Sequence, residues 1–472
     1  DIGATTLPMT VKTAAGGAVR NAAAGGSAYL SSPVGVLTVL NGGATTGQMA
    51  LNGSAAGLTL GGNTTTGRGL ALTAGSNAIN LTAGAALTNG TGSTVMQGKT
   101  LTMADGATVD GGAGTVVLSA TGDITVTGLS TANNSSGAIV VSSTGGAILD
   151  GGETNADLTV SSASGAVVLS ALGSVGDSAL AAGVTGRAIE TAAPSLTVTS
   201  KNGSVSLAQT GDLANAIVSA RLGAALHGQG AVVATKVASA LGSVDVSSQS
   251  AGVKLTSVSS AADITIGAAG KIDLSSVTAP RDITLTSTGT AAPAAGQGVT
   301  ALALTAGRNL VIDADGALAN SRFSALTARA GTVRVDTGGS LTVTGAISAT
   351  SNVQLSSGAA NQLGAVKSSG AGVNLSAHNG SLAFSSVTAL GVANLSATRD
   401  DGSSVATTPR NTPISMASNT TTTMGACHRA PKNRCSVTMS WLFSAKANRT
   451  KKMAALSSHV RYFKSSPLWW DD

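Results

Sequence analysis

From position 244 onward, aliphatic residues recur in pairs two positions apart: Val244/Val246, Ile264/Ile266, Ile283/Leu285 and Leu302/Leu304, at successive steps of 20, 19 and 19. The series resumes as Val333/Val335, Val353/Leu355, Val373/Leu375 and Ala393/Leu395, with steps of 20, 20 and 20. Within a pair the alternation is that of a strand with one buried face, as in Asp282 out, Ile283 in, Thr284 out, Leu285 in. A second track runs about half a period out of phase through Val253/Leu255, Ile272/Leu274, Leu341/Val343 and Leu382/Phe384. Looser members of the pattern lie upstream at Leu37/Val39, Leu58/Leu60, Ile79/Leu81, Leu101/Met103, Ile139/Val141, Leu158/Val160 and Leu196/Val198. Each repeat is therefore predicted to hold two short strands separated by turn residues.

Between the strands, Gly, Asn, Ser and Asp supply turns, as in "SKNGS" (200–204) and "AHNGS" (377–381). An Asn-Gly pair can also close a β-hairpin. A constant period near 20 favours a chain that coils in one direction over one that zigzags. One such unit cannot bury its own aliphatic face, whereas stacked units bury a continuous column and bond each strand to its counterpart in the next turn. The predicted fold is all-β, a parallel β-helix or β-solenoid of about 20-residue turns. Some 360 repetitive residues give roughly 18 turns and a rod of about 90 Å at the strand spacing of a sheet. Residues 1–36 read as irregular or early solenoid turns, 37–399 as the repeat region and 400–472 as a separate tail.

Composition supports the division. The chain has 62 Gly, 10% charged and 2% aromatic residues, yet 42% hydrophobic ones, so its core is aliphatic and small without being absent. A core one side chain deep explains this, because a ring would need compensation in the turns above and below. A β-sandwich array would usually show a buried Trp, and none precedes Trp441. Residues 1–410 carry 18 Lys or Arg against 19 Asp or Glu, while 411–472 carry 9 against 2, so the net charge of +6 belongs to the tail. Both Cys (Cys427, Cys435) and all three Trp (Trp441, Trp469, Trp470) lie there too. No apolar run approaches the roughly 18 residues of a transmembrane helix. The chain starts at Asp1 with no visible secretion signal, and it reads as a fragment or a processed piece.

At "ADITIGAAGKIDLSSVTAPRDITLTSTG" (262–289) and "GDITVTG" (122–128) the sequence resembles filamentous haemagglutinin-like exoproteins of the two-partner secretion family. The resemblance covers about residues 37–399. It implies a right-handed parallel β-helix and a secreted bacterial surface adhesin threaded outward by an outer-membrane partner. The family's N-terminal secretion domain and an autotransporter's C-terminal β-barrel both lack counterparts, so the chain is expected to be a middle portion. The repeats carry no catalytic motif to transfer.

Candidate chemistry is sparse. Asp313 and Asp315 in "VIDADG" share a face and could serve a glycosidase or lyase; two solvated carboxylates near a turn are the plainer account. "DADG" lacks the further acids of an EF-hand, and "DGG" at 110–112 and 150–152 falls short of a calcium-binding nonapeptide array, leaving ordinary turn chemistry. His227 and His378 are isolated in sequence, and no nucleophile triad can be named where Ser and Thr are so abundant. Asn80 and Asn374 stand in N-x-S/T sites that composition alone produces. In the tail, "CHRAPKNRC" (427–435) could be half a zinc site or a disulfide loop, but only His459 remains as a further tail ligand. The tail's basic and aromatic residues, among them Arg449, Lys451, Lys452, Tyr462 and Phe463, suit nucleic acid or a membrane surface weakly.

The expectation is thus a non-enzymatic stalk of a surface adhesin, with no catalytic residues, cofactor or metal, and no nucleic-acid partner. Its receptor would be a host cell or surface, with a glycan as one candidate class. The alternatives are a carbohydrate-active β-helix enzyme and a toxin-delivery stalk with the tail as effector. "TAPRDITLTSTG" (278–289) and "ATRDDGSSVAT" (397–407) open alike, but Asp401-Gly402 replaces the strand of the first, and positions 413 and 415, where the register would need aliphatics, are Pro413 and Ser415. The tail is expected to be disordered or out of frame, the reading frame being lost near Asp400.

Overall fold

The computed structural model describes residues 2–3, 8–11, 18–19, 22–152, 155–176, 188–289, 298–314 and 320–398. Four short strands follow, Thr408–Pro409, Ser415–Met416, Thr422–Gly425 and Thr438–Trp441. The described residues form strands, turns and irregular connections, without a helix. Up to Ala397 the pairings between strands are parallel, each strand lying on its counterpart one turn away. The protein is a β-solenoid.

One ladder shows the construction. Leu37, Leu58, Ile79, Leu101, Ile124, Ile148, Val175 and Val205 stack in register, followed by Ala224, Val244, Ile264, Ile283, Leu310, Val333, Val353, Val373 and Ala393. These 17 rungs span about 80 Å at the strand spacing of a sheet. Each of the 17 side chains is almost wholly buried. A second column, Val198, Val218, Val237, Val258, Val277, Leu304, Leu326, Ile347, Val366 and Val387, lines the opposing wall.

The predicted two strands per turn become three faces. In the N-terminal half, three separate strands make each turn, as in Thr94–Gly98, Thr100–Met103 and Thr108–Asp110. In the C-terminal half two of the faces share one bent strand: in Val232–Ser239, the two consecutive outward residues Thr235 and Lys236 interrupt the alternation and mark the corner. Three-sidedness keeps the core narrow, which is why Val, Ile, Leu and Ala suffice. The two rings it does hold, Phe323 and Phe384, are fully buried, with Ala301 stacked below the first and Leu363 below the second.

Counting by twenties does not always find the right face. Leu302 is 60% exposed, whereas Leu304 is buried. Their strand, Val299–Ala306, lies on Ile272–Ala279, and the rung above Ile283 is Leu310, well beyond the expected step. The Ala-rich stretch 290–297, which lies outside the described residues, falls in the chain between these two rungs. Upstream, the pairs Ile139/Val141 and Leu196/Val198 belong to the opposing face, not to the ladder of Leu101/Met103, which continues through Ile124.

Two side-chain devices hold the corners. The residue just before a ladder rung often accepts the backbone N–H of its counterpart one turn later: Asp123 from Ala147 (2.8 Å), Asp263 from Asp282 (3.0 Å), Asp282 from Asn309 (2.9 Å), Asn309 from Thr332 (3.1 Å) and Asn352 from Gly372 (3.1 Å). These bonds satisfy N–H groups that the strand ladder does not reach. They also account for the recurring Asp-Ile-Thr at 123–125, 263–265 and 282–284. The second device is an inward Ser that ends a strand. Ser143, Ser200 and Ser248 each donate to a carbonyl of the preceding turn (Gly122, Gly173, Gly230) and accept the N–H three residues on. A buried hydroxyl with both roles filled carries little desolvation cost.

Ile283→Asp should destabilise the rod by about 3–5 kcal/mol, because it buries an unpaired charge, whereas Thr284→Asp on the outer face should cost less than about 1 kcal/mol. Denaturant unfolding of the two variants checks this; equal losses would contradict the assigned faces. Asp282 offers a pH test. Partial burial disfavours its charge, but the Asn309 N–H, the Arg308 guanidinium at 2.6 Å and the Asn309 amide outweigh this and lower its pKa. A lowered carboxyl stabilises the fold above its unfolded value near pH 4 and loses that contribution as pH falls through the folded value. D282N should therefore melt below the parent at pH 7, with the small gap closing towards pH 2.

Candidate functional site

Outward residues form columns as regular as the core. Along the first face one column runs Thr265, Thr284, Val311, Arg334, Gln354, Asn374, Asn394, and the next runs Gly267, Thr286, Asp313, Asp336, Ser356, Ser376, Ser396. Asn394 donates to Asn374 at 2.8 Å within its column. Such columns present small polar groups at the spacing of a sheet. Asp313 is flanked by Asp336 one rung on, a pairing of like charges that the sequence reading of Asp313 with Asp315 did not include. Asp315 lies outside the described residues.

An open groove of about 470 Å³ crosses four successive turns around the place where the bent strand is split into Leu341–Val343 and Ile347–Ala349. Arg322, Thr342 and Gln362, stacked in one column, edge it, and Phe384 contributes to its lining. Gly364 keeps the corner narrow: a Cβ there would lie 2.0 Å from the Gly345 carbonyl oxygen.

The structure also joins residues that sequence reading left isolated. His227 stacks one rung from Ser247, its Nδ1 2.7 Å from the Ser247 Oγ, and Asp245 shares that face. Burial raises the Asp245 pKa, and the nearby His227 acts against the rise. Ser247 thus meets the imidazole nitrogen that a hydrolase triad reserves for its carboxylate. His378 is exposed, with Nε2 3.4 Å from Ser356 Oγ. Cys427, Cys435, His459 and the basic residues of the tail lie outside the described residues.

A third grouping was missed. Asp150, Asp157 and Glu190 converge, with one carboxylate oxygen of each within 4.8 Å of the others. Asp150 closes the strand Ile148–Asp150 and accepts the Gly152 N–H at 2.7 Å, a turn that Gly152 completes at φ 98°. That much is the turn chemistry expected of "DGG". Asp157 precedes the strand Leu158–Val160, and its Oδ2 accepts the Glu190 N–H at 3.0 Å. Its Oδ1 is buried without a hydrogen-bond partner. Burial pushes the Asp157 pKa up to about 10, the Glu190 N–H opposes this, and the Glu190 and Asp150 carboxyls add to it. Burial also raises Asp150, against the Gly152 N–H.

No family model, curated protein or solved structure matches the chain. No helix among the described residues is long and apolar enough to cross a membrane.

His227→Gln should raise the Asp245 pKa further, since it removes the one nearby group that favours the carboxylate. Carbon-detected NMR titration of the Asp245 carboxyl measures this, and an unchanged midpoint would show that the two groups do not interact.

Proposed function

We propose that this chain is the stalk of a secreted or surface-exposed bacterial adhesin of the filamentous haemagglutinin-like kind, mediating attachment to host cells or surfaces. The observation that carries the reading is the unbroken 17-rung ladder: a long, narrow, parallel-stacked rod whose outward columns are mostly Thr, Ser and Asn. A rod of this kind separates two ends by a fixed distance, and its polar columns repeat hydrogen-bonding groups along that distance. Export through an outer-membrane partner accompanies the reading, as the chain could stack turn by turn on emergence. Within the rod, the groove edged by Arg322, Thr342 and Gln362 is the surface we assign to receptor contact, with a glycan as the receptor class. Its guanidinium, hydroxyl and amide offer donors and acceptors in a row.

Beads coated with the purified chain should adhere to epithelial cells or retain glycans on an array, and the double variant R322A/Q362A should reduce retention at least tenfold without changing the circular dichroism spectrum. A chain shown to be an intact rod by X-ray scattering that binds neither cells nor glycans would overturn the adhesive reading. Cleavage of polysaccharides by the same preparation would favour the carbohydrate-active alternative.

A further inference from the structure

We propose that Asp150, Asp157 and Glu190 form a Ca²⁺ site that staples neighbouring turns of the solenoid. The site stands independently of the adhesive reading. Leu158 pairs with Thr191, so Asp157 and Glu190, the residues just before them, face each other on adjoining turns. Asp150 reaches them across the loop that joins two strands of one turn. The second observation is the orphan: Asp157 is 0% exposed, and its Oδ1 has no hydrogen-bond donor. A buried carboxylate oxygen without a partner is costly, and a cation supplies what the protein does not.

The donor set selects the ion. All three groups offer carboxylate oxygen and none offers nitrogen or sulfur, which fits a hard divalent cation. The three carboxylates lie within 4.8 Å of one another, close enough to share one ion, and an irregular, all-carboxylate set suits the flexible shell of Ca²⁺ better than the strict octahedron of Mg²⁺, which also gives up its waters reluctantly. Asp150 and Glu190 are only half-buried, which leaves an edge through which the ion can pass and water can complete the shell.

Position explains the benefit. Here each rung-to-rung step along the ladder takes more chain than the one before, from Leu101 to Ile124, to Ile148, to Val175 and finally to Val205. Val175 is held to its neighbours by isolated bridges, where most turns have strands paired over three to five residues. The ladders of Ile148–Asp150 and Ile189–Ala192 also converge at this point onto Val205–Gln209. Three ligands fixed to one ion would hold the longest turns in register where backbone pairing is thinnest.

The test uses the full chain, stripped with EDTA and freed of it, titrated with CaCl₂ by calorimetry and melted with and without CaCl₂ at pH 7.5. One Ca²⁺ per chain should bind with a rise in melting temperature. D157N should weaken that binding at least tenfold and abolish the rise. D150N, at a half-exposed position, should weaken it about tenfold in a folded protein and decides the matter should D157N fail to fold. Absence of Ca²⁺ uptake by the folded parent would overturn the proposal and leave the carboxyls sharing a proton instead. Unchanged binding in D150N would equally overturn it, and an equal response to MgCl₂ would overturn the choice of ion.

Discussion

Everything in this molecule depends on the parallel backbone ladder, in which the N–H and C=O groups of each turn find partners in the turns on either side. That constraint fixes the separation of the turns, and it places equivalent residues directly above one another. A column inside the rod must then be filled by residues that stack on their own kind, and Val, Ile and Leu, with Ala at two rungs, do so from Leu37 to Ala393. The corners are where the ladder fails to reach, so polar side chains are recruited there. Asp123, Asp263, Asp282, Asn309 and Asn352 take stray N–H groups from the following turn, and inward Ser residues take stray carbonyls from the preceding one. The low aromatic content and the high Ser, Asn and Gly content are two results of one geometry.

The fold was legible because one unit repeats: a near-constant step that preserves an in-out alternation admits few solutions besides stacking. The number of faces was less legible. A corner inside a strand costs only one break of alternation, as at Thr235-Lys236, and a count of apolar pairs passes over it. Phase was lost wherever a turn is longer than its neighbours. Leu302 falls at the expected step from Ile283, but the true rung is Leu310. The two Arg-Asp openings show the same limit. Arg281-Asp282 follows the bent strand Ile272–Ala279, whereas Arg399 comes in sequence after the strand Ala393–Ala397 and lies outside the described residues, so shared letters need not mean a shared place in the repeat.

Site legibility follows the same rule. In a stacked rod, residues one period apart are neighbours, and His227 and Ser247 are 20 apart; their contact was available from the period alone. Asp313 and Asp336, separated by only slightly more than a period, are nearly so. Asp157 and Glu190 have a long insertion between them, and no regular count brings them together. Their convergence needed the actual path of the chain. The "DGG" at 150–152 was correctly read as a turn, but a turn residue can also face a neighbouring loop, which a local motif does not reveal.

The separation of inner and outer columns also bears on what such a rod can do. An inward substitution is felt by the rungs above and below, so the core tolerates little. An outward substitution on a face touches only its column neighbours, and most columns are free to change without loss of the fold. Function on a solenoid therefore requires coincidence: suitable residues at one column position in consecutive turns, or at a corner where the wall opens. Arg322, Thr342 and Gln362 meet the first condition beside a groove that meets the second. Asp150, Asp157 and Glu190 arise differently, from departures in turn length, and they lie where the ladder has the fewest bonds to lose. Regular turns thus provide surface for contact, while irregular ones gather the buried charge that chemistry or an ion requires.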